Sequence, residues 1–328
     1  LETSSENGEK ASNKTLKILR KMESITNHPL YRAHTIDSAM DSLWSFYKKK
    51  FIPLFVTSFV MGLAVQYLSS AINMTELQSI TDINEMMNKM KELLVPMLIV
   101  SLVSLLFTTI LQHYVIFNPI DRENNIFRSI TASLRYFFPY IIIMIFLAIA
   151  GSFAIFIGLL LLVVGVIFAA VYVMMIYLFI LPVMMVEGPN IAGTISSTVR
   201  FAHRNFWSNI GWTAVFIILL LVISVILSGL VLLPFTGNFF KAFTNPGEAA
   251  SLIEITTRPL YIILSSLMSA ITFPLMPIFA AILYFNARAR EQSQFSGIPV
   301  QEDEHKVSVE DLYAKPLPEN EKNENDNS

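Results

Sequence analysis

The sequence predicts an all-α, polytopic membrane helix bundle with six transmembrane helices, and three observations carry this. Hydrophobic residues make up 54% of the 328-residue chain and charged residues only 15%, whereas soluble domains carry about 25% charged residues. The apolar residues are gathered into runs long enough to cross a bilayer, for which a helix needs about 20. The Lys and Arg residues between those runs fall in a one-sided pattern. A water-soluble fold of this composition would expose large apolar patches and aggregate.

The division that follows is a polar N-terminal tail (1–34), a membrane domain (35–290) and an acidic C-terminal tail (291–328). The first 30 residues hold no apolar leader segment, so insertion is expected to start with the first span. His28 and His34 flank Pro29 in this polar stretch and read as solvated. Span one is Phe51 to Ile72 and span two is Leu93 to Phe117. Phe138 to Val186 runs for 49 residues without a charge, too long for one helix to absorb by tilting. It reads as spans three and four, joined by a tight turn near Gly158 to Gly165. Trp207 to Leu233 is span five and Pro259 to Phe285 is span six.

Between spans one and two, Leu77, Ile80, Ile83, Met87, Met90 and Leu94 recur at helical spacing behind Asp82 and Glu85. This predicts a short amphipathic helix capped at its start. Residues 234–258 contain Pro, Gly and Asn and read as an irregular loop. From Gln301 onward there are nine acidic and three basic residues, a composition expected to be disordered. Such a tail can solubilise the chain or dock a protein partner.

With six spans, 19 of the 23 Lys and Arg residues lie on one side. Next to the spans these are Lys48, Lys49 and Lys50; Arg122, Arg128 and Arg135; Arg200 and Arg204; and Arg288 and Arg290. The excess of Lys and Arg on cytoplasmic segments predicts that both termini are cytoplasmic. Lys48, Lys49, Lys50, Arg128, Arg135, Arg288 and Arg290 are placed to meet lipid headgroups.

The segments before spans one, three and five resemble one another: IDSAMDSLWSFY from Ile36, FRSITASLRYFF from Phe127 and AGTISSTVRFAH from Ala192. At offsets of 91 and 65 residues, Ser38, Ser129 and Thr194 align, as do Leu43, Leu134 and Val199. Ile36, Met40, Leu43 and Tyr47 share a helical face in the first. Phe127, Ile130, Leu134 and Phe137 do so in the second, and Ile191, Ile195, Val199 and Ala202 in the third. Each is expected to be an interfacial helix with its apolar face in lipid or against the bundle. The bundle then reads as three repeats of an interfacial helix plus two spans.

No catalytic constellation is present. There is no HExxH, GxSxG, Walker or dinucleotide motif, and the five His residues show no metal-ligand spacing. The chain has no Cys, which excludes disulfides and thiolate sites. The expectation is a protein with no enzymatic activity, metal or cofactor, and a net charge of −2 gives no reason to expect nucleic-acid binding. Few polar groups fall within the spans. His113, beside Gln112, is expected to hydrogen-bond at the end of span two, and Gln66 to bond across helices in span one. Glu187, closing span four, could pair with Arg200 or Arg204 or stay solvated. Asp37 and Asp41 favour the positive end of an interfacial helix dipole.

The run LPVMMVEGPNIAGTISSTVRFAHRNFWSNIG, from Leu181 to Gly211, has a helix ending in Pro and Glu. A small-residue amphipathic segment follows, then an aromatic before the next span. With ILYFNARARE from Ile282, it resembles bacterial integral membrane proteins related to the membrane domain of glycerophosphoryl diester phosphodiesterases. That family usually has Asp where this chain has Asn286. The resemblance covers roughly residues 35 to 290 and implies a six-helix fold in the bacterial inner membrane. It implies no phosphodiesterase chemistry, because in those enzymes a separate soluble barrel carries the catalytic His, Glu and Asp.

Two functional expectations follow. The first is a non-enzymatic scaffold or accessory subunit acting on membrane lipids or a partner complex through its interfacial helices. The alternative is a small transporter or lipid-handling protein, which requires a polar cavity between the repeats. Ser58, Gln66, Ser101, Ser104, Thr108, Ser152, Ser224, Ser265 and Ser269 are the groups available to line one.

Overall fold

The computed structural model describes residues 25–72, 82–121, 124–237 and 255–296. These residues are helical with short connections, and six helices are long and apolar enough to cross a membrane. The chain is a polytopic membrane protein on that ground.

Helix α1 (Ile36–Lys49) starts at a capping box, in which Thr35 accepts from the Ser38 amide and Ser38 from the Thr35 amide. Asp37 lies in its first turn and Lys48 and Lys49 in its last, as the helix dipole favours. After a break at Lys50, α2 (Phe51–Ser70) forms span one. Helix α3 (Ile83–Phe117) is capped by Asp82, whose carboxylate accepts from the Asn84 amide at 2.6 Å. The short amphipathic helix expected here is therefore the first part of one 35-residue helix that includes span two. Leu77 and Ile80 lie outside the described residues, as does Arg122.

The second interfacial segment is not a separate helix either. It runs without a break into span three as α4 (Ile126–Leu160), capped by Asn125, which accepts from the Arg128 amide at 3.0 Å. No residue between Phe127 and Phe138 breaks the helix, and Pro139 lies inside it. At a rise of 1.5 Å per residue, α4 is about 52 Å long, enough to cover both an interface and a bilayer core.

The turn falls between the two glycines, as predicted. The Leu161 amide bonds back to the Gly158 carbonyl at 2.9 Å, and Leu162 takes a positive φ of 59°. Gly158 and Gly165 pass so closely that a Cβ on Gly158 would lie 2.7 Å from the Gly165 carbonyl oxygen. Helix α5 (Leu162–Glu187) returns as span four and stops at Gly188, where φ is 117°. Asn190 caps α6 (Ile191–Arg204), and α7 (Phe206–Leu232) is span five, ending in a 3-10 turn over Leu233–Phe235. The sixth span is α8 (Pro259–Thr272) and α9 (Leu275–Ser296). They are separated at Phe273 and Pro274, because Pro274 has no N–H for the helical ladder. Helix α9 continues through residues 291–296, which the sequence assigned to the tail. The rest of that tail and most of the 234–258 loop lie outside the described residues.

The core sits at the end that carries the basic segments. There α9 is buried on all sides from Ile278 to Ala287, as are Leu178–Met185 of α5 and Thr109–Ile116 of α3. The Phe216 and Phe279 rings stack at 4.0 Å and 8°. The opposite half is more open, and its hairpin tip, Leu160 to Val164, is exposed throughout.

Each interfacial segment turns one or two hydroxyl groups inward. Ser42 on α1, Ser129 and Ser133 on α4, and Thr194 and Thr198 on α6 are buried, while Phe127, Ile130, Leu134, Ile195 and Val199 face outward. Lipid supplies no hydrophobic drive between helices, so small residues that allow close approach gather at the contacts. The same logic places Gly62 of α2 against α8, where a Cβ would lie 3.1 Å from the Ser266 carbonyl oxygen. Gly62→Val should therefore separate spans one and six. Overpacking costs about 1–3 kcal/mol, and a thermal-unfolding assay in lipid nanodiscs should show a lower midpoint, with Gly62→Ala affected less.

Candidate functional site

Two polar regions stand out against the apolar bundle, one at each half. At the basic end, the segment before α1 folds onto α9. His28 and His34 are buried rather than solvated, at 3% and 0% exposure. The Leu30 amide donates to His28 Nδ1 at 3.1 Å, which leaves Nε2 as the protonated nitrogen facing the Val115 carbonyl at 3.1 Å. Burial depresses the His28 pKa to about 4. The His34 amide donates to Asn286 Oδ1 at 2.9 Å, and Arg290 donates to both Asn286 Oδ1 and the His34 carbonyl, at 3.1 and 2.8 Å. Asn286 thus clamps the N-terminal segment to the end of span six.

Beside this clamp, Glu291 gathers three guanidinium groups. Arg204 reaches its carboxylate at 2.9 Å, Arg288 at 3.0 Å and Arg200 at 3.6 Å. Glu187 pairs instead with Arg288, at 3.7 Å. Arg200 and Arg204 therefore converge on Glu291 and not on Glu187 as the sequence suggested. Glu291, placed by the sequence in the acidic tail, is one turn inside α9, with its side chain only 10% exposed. Arg288 is a local partner three residues back, but the two that bury Glu291 against α6 lie 87 and 91 residues away.

The remaining basic positions are distributed around this end. Lys48 and Lys49 are exposed and Lys50 is half-buried. Arg128 pairs with Asp121 at 3.5 Å, and Arg135 donates to the Tyr136 hydroxyl. His113 is buried and hydrogen-bonds Ser129 on α4 at 3.2 Å, which ties span two to the second interfacial segment. Gln112 donates to the Pro277 carbonyl at 3.1 Å.

The second region lies inside the bundle, toward the opposite half. Spans one, five and six enclose a crevice of about 270 Å³ lined by Gln66, Ser224, Ser228, Tyr261, Ser265, Ser269 and Thr272 together with Leu and Met side chains. A second cavity of about 360 Å³ adjoins it, with Ser104, Thr108, Tyr177, Phe273 and Pro277 in its wall. Ser224 and Thr272 line both. Gln66 makes no interhelical hydrogen bond among the described residues; its amide lines the crevice instead. The Ser265 hydroxyl is buried there without a hydrogen-bond partner. Of the sequence-derived lining groups, Gln66, Ser104, Thr108, Ser224, Ser265 and Ser269 come together. Ser58 is buried outside both cavities, and Ser101 and Ser152 bond to their own helices.

No ionisable acid or base of the Asp, Glu, Lys, Arg or His type lines either cavity. Among the described residues, no group of three or more His, Cys, Asp or Glu is placed to hold a metal ion. No family model matches the chain, and comparisons with curated proteins and with solved structures likewise find none that is similar.

Two outcomes test the basic end. His28 is held neutral when folded, while the unfolded chain binds a proton near pH 6.5. The unfolded state therefore gains protons first, and stability is lost as pH falls from about 6.5 toward 4, by roughly 3 kcal/mol in all. His28→Gln should remove that part of the acid sensitivity in unfolding measured across this range. Glu291→Gln leaves Arg200 and Arg204 without their carboxylate and Arg288 with Glu187 alone. Breaking such a cluster costs about 1–3 kcal/mol after allowing for the partly exposed arginines, and hydrogen exchange should show α6 loosening from α9.

Proposed function

We propose that this protein binds the polar part of a membrane amphiphile in the crevice between spans one, five and six, as a lipid-handling protein or small transporter. The observation that carries this reading is the pair of adjoining cavities lined by Gln66, Ser224, Ser265 and Thr272 within a membrane-spanning bundle. Polar lining inside a membrane protein has a solvation cost in lipid, and an unpartnered buried hydroxyl such as Ser265 Oγ forgoes a hydrogen bond that a ligand can supply. The lining favours a neutral, hydroxyl-bearing group, because a charge brought there would meet no counter-charge.

The topology belongs to the same reading. The basic end faces the cytoplasm, in a bacterial inner membrane by the resemblance of the Leu181–Gly211 run, and the crevice lies toward the other leaflet. A threefold repeat is supported by Ser42, Ser133 and Thr198, which occupy aligned positions in the three interfacial segments and are all buried. The scaffold reading keeps one specific support: α1 and α6 are amphipathic helices tied to the sixth span, α1 through Tyr47 to the Ile271 carbonyl and α6 through the Glu291 cluster.

Native mass spectrometry of the protein released from nanodiscs of mixed lipids tests the proposal. A neutral hydroxylated lipid such as diacylglycerol should be retained by the wild type. Ser269→Phe and Ser224→Leu, which fill the crevice, should lower its occupancy by about tenfold, the equivalent of 1.4 kcal/mol. Ile218→Phe, on the exposed face of α7, should leave it unchanged. Equal occupancy in all four proteins rules the crevice out as the site.

A further inference from the structure

A different cavity lies at the basic end, between the segment before α1, α1 itself and the end of α3. Its volume is about 770 Å³. Leu30 and Phe46 contribute buried apolar side chains to its wall, and Arg32, Lys49 and Lys50 contribute three positive charges. Asp41 is the one carboxylate in the lining, and it forms no ion pair with either lysine. Arg32 donates to the buried Ser42 hydroxyl at 2.8 Å, which holds the guanidinium at the pocket wall. Lys49 and Lys50 have no carboxylate partner among the described residues. Burial first, and then the neighbouring Lys49 ammonium, hold Lys50 below the usual lysine range.

The position in the chain says where a compensating anion would come from. Lys50 immediately precedes span one, whose first residues, Phe51 and Ile52, are exposed at 39% and 73%. In a bilayer spanned by α2, these side chains at its start would face lipid near the level of the phosphates. A guanidinium and two ammonium groups around one cavity suit a phosphate, to which Arg and Lys bind by charge-assisted hydrogen bonds. We propose that this pocket is a binding site for the phosphate of an anionic lipid headgroup. The acyl chains would run along span one, and the headgroup would lie between α1 and the Pro29–Arg32 segment. The site is separate from the crevice, and its ligand is charged where the crevice favours a neutral group.

The test uses the full-length chain in phosphatidylcholine nanodiscs containing a minor fraction of phosphatidylglycerol, with retained phosphatidylglycerol counted by native mass spectrometry. The double variant Lys49→Gln/Lys50→Gln should retain about tenfold less, and Arg32→Gln severalfold less, given the usual contribution of each basic residue near an anionic surface. Lys48→Gln is the control, since Lys48 is exposed on the same helix but does not line the pocket. If Lys48→Gln lowers retention as much as the double variant, general surface attraction replaces the site. Retention by the double variant equal to wild type also overturns it. Amine labelling of Lys49 and Lys50 separates the two sources of phosphate. Protection by phosphatidylglycerol but not by inorganic phosphate supports the lipid. Protection by inorganic phosphate in phosphatidylcholine alone, with none from phosphatidylglycerol, overturns it.

Discussion

From Ile278 to Ala287, helix α9 is buried around its whole circumference, and the rest of the bundle is arranged to make that possible. In water such a helix would be held by the hydrophobic effect. In a bilayer the lipid tails are as apolar as its Ile, Leu and Phe side chains, so burial alone gives little. What fixes it is close packing plus polar ties spaced along the sixth span. Tyr47 on α1 donates to the Ile271 carbonyl at 3.0 Å, one of the carbonyls left over where Pro274 interrupts the helix. Gln112 on α3 reaches Pro277, Asn286 takes the His34 amide, and Glu291 takes the arginines of α6. Each surrounding element is thus attached at a different level, and loss of any one tie loosens a different neighbour.

This arrangement explains why the two halves differ. At the basic end three helix segments are buried on every side, and the N-terminal segment with its neutral His28 closes over them. Toward the other end the spans separate. The close contact of Gly62 with Ser266 keeps spans one and six together, while span five stands off far enough to leave the crevice. An opening at that level needs walls that tolerate polarity, and spans one, five and six supply Gln66 and a series of serines.

The six spans were legible because each is a long run without charge, and the hairpin turn because two glycines bracket the middle of a 49-residue run too long for one span. Other features were hidden for physical reasons. Periodicity locates an amphipathic face but does not say whether the apolar side meets protein or lipid; here Ile130 and Leu134 face out and Ser129 and Ser133 face in. Periodicity also cannot distinguish an interfacial helix that stops before its span, as α1 does at Lys50, from one that continues into it, as α4 does. Glu291 looked like the first residue of an acidic tail, and His28 and His34 like loop residues, because the groups that bury them come from distant parts of the chain. The serines and Gln66 were identifiable as candidates, but only the packing of three spans brings them to one wall.

Among those candidates the hydroxyl groups are not equivalent. A serine or threonine in a helix can satisfy its own hydrogen by bonding to a carbonyl one turn back. Ser104 does so with Val100 and Thr108 with Ser104, at 2.9 and 2.8 Å. Such residues make a wall tolerably polar while offering a ligand mainly their lone pairs. Ser265 has no such bond although it is buried, and the Gln66 amide has no partner among the described residues. These two groups therefore hold hydrogen-bonding capacity that the fold leaves unused. They face the same crevice from opposite spans, α2 and α8, which are the two helices that Gly62 holds in contact. Their separation is thus set by the close Gly62–Ser266 packing, and a ligand bridging them would bind to a fixed frame rather than to mobile side chains on a loose one.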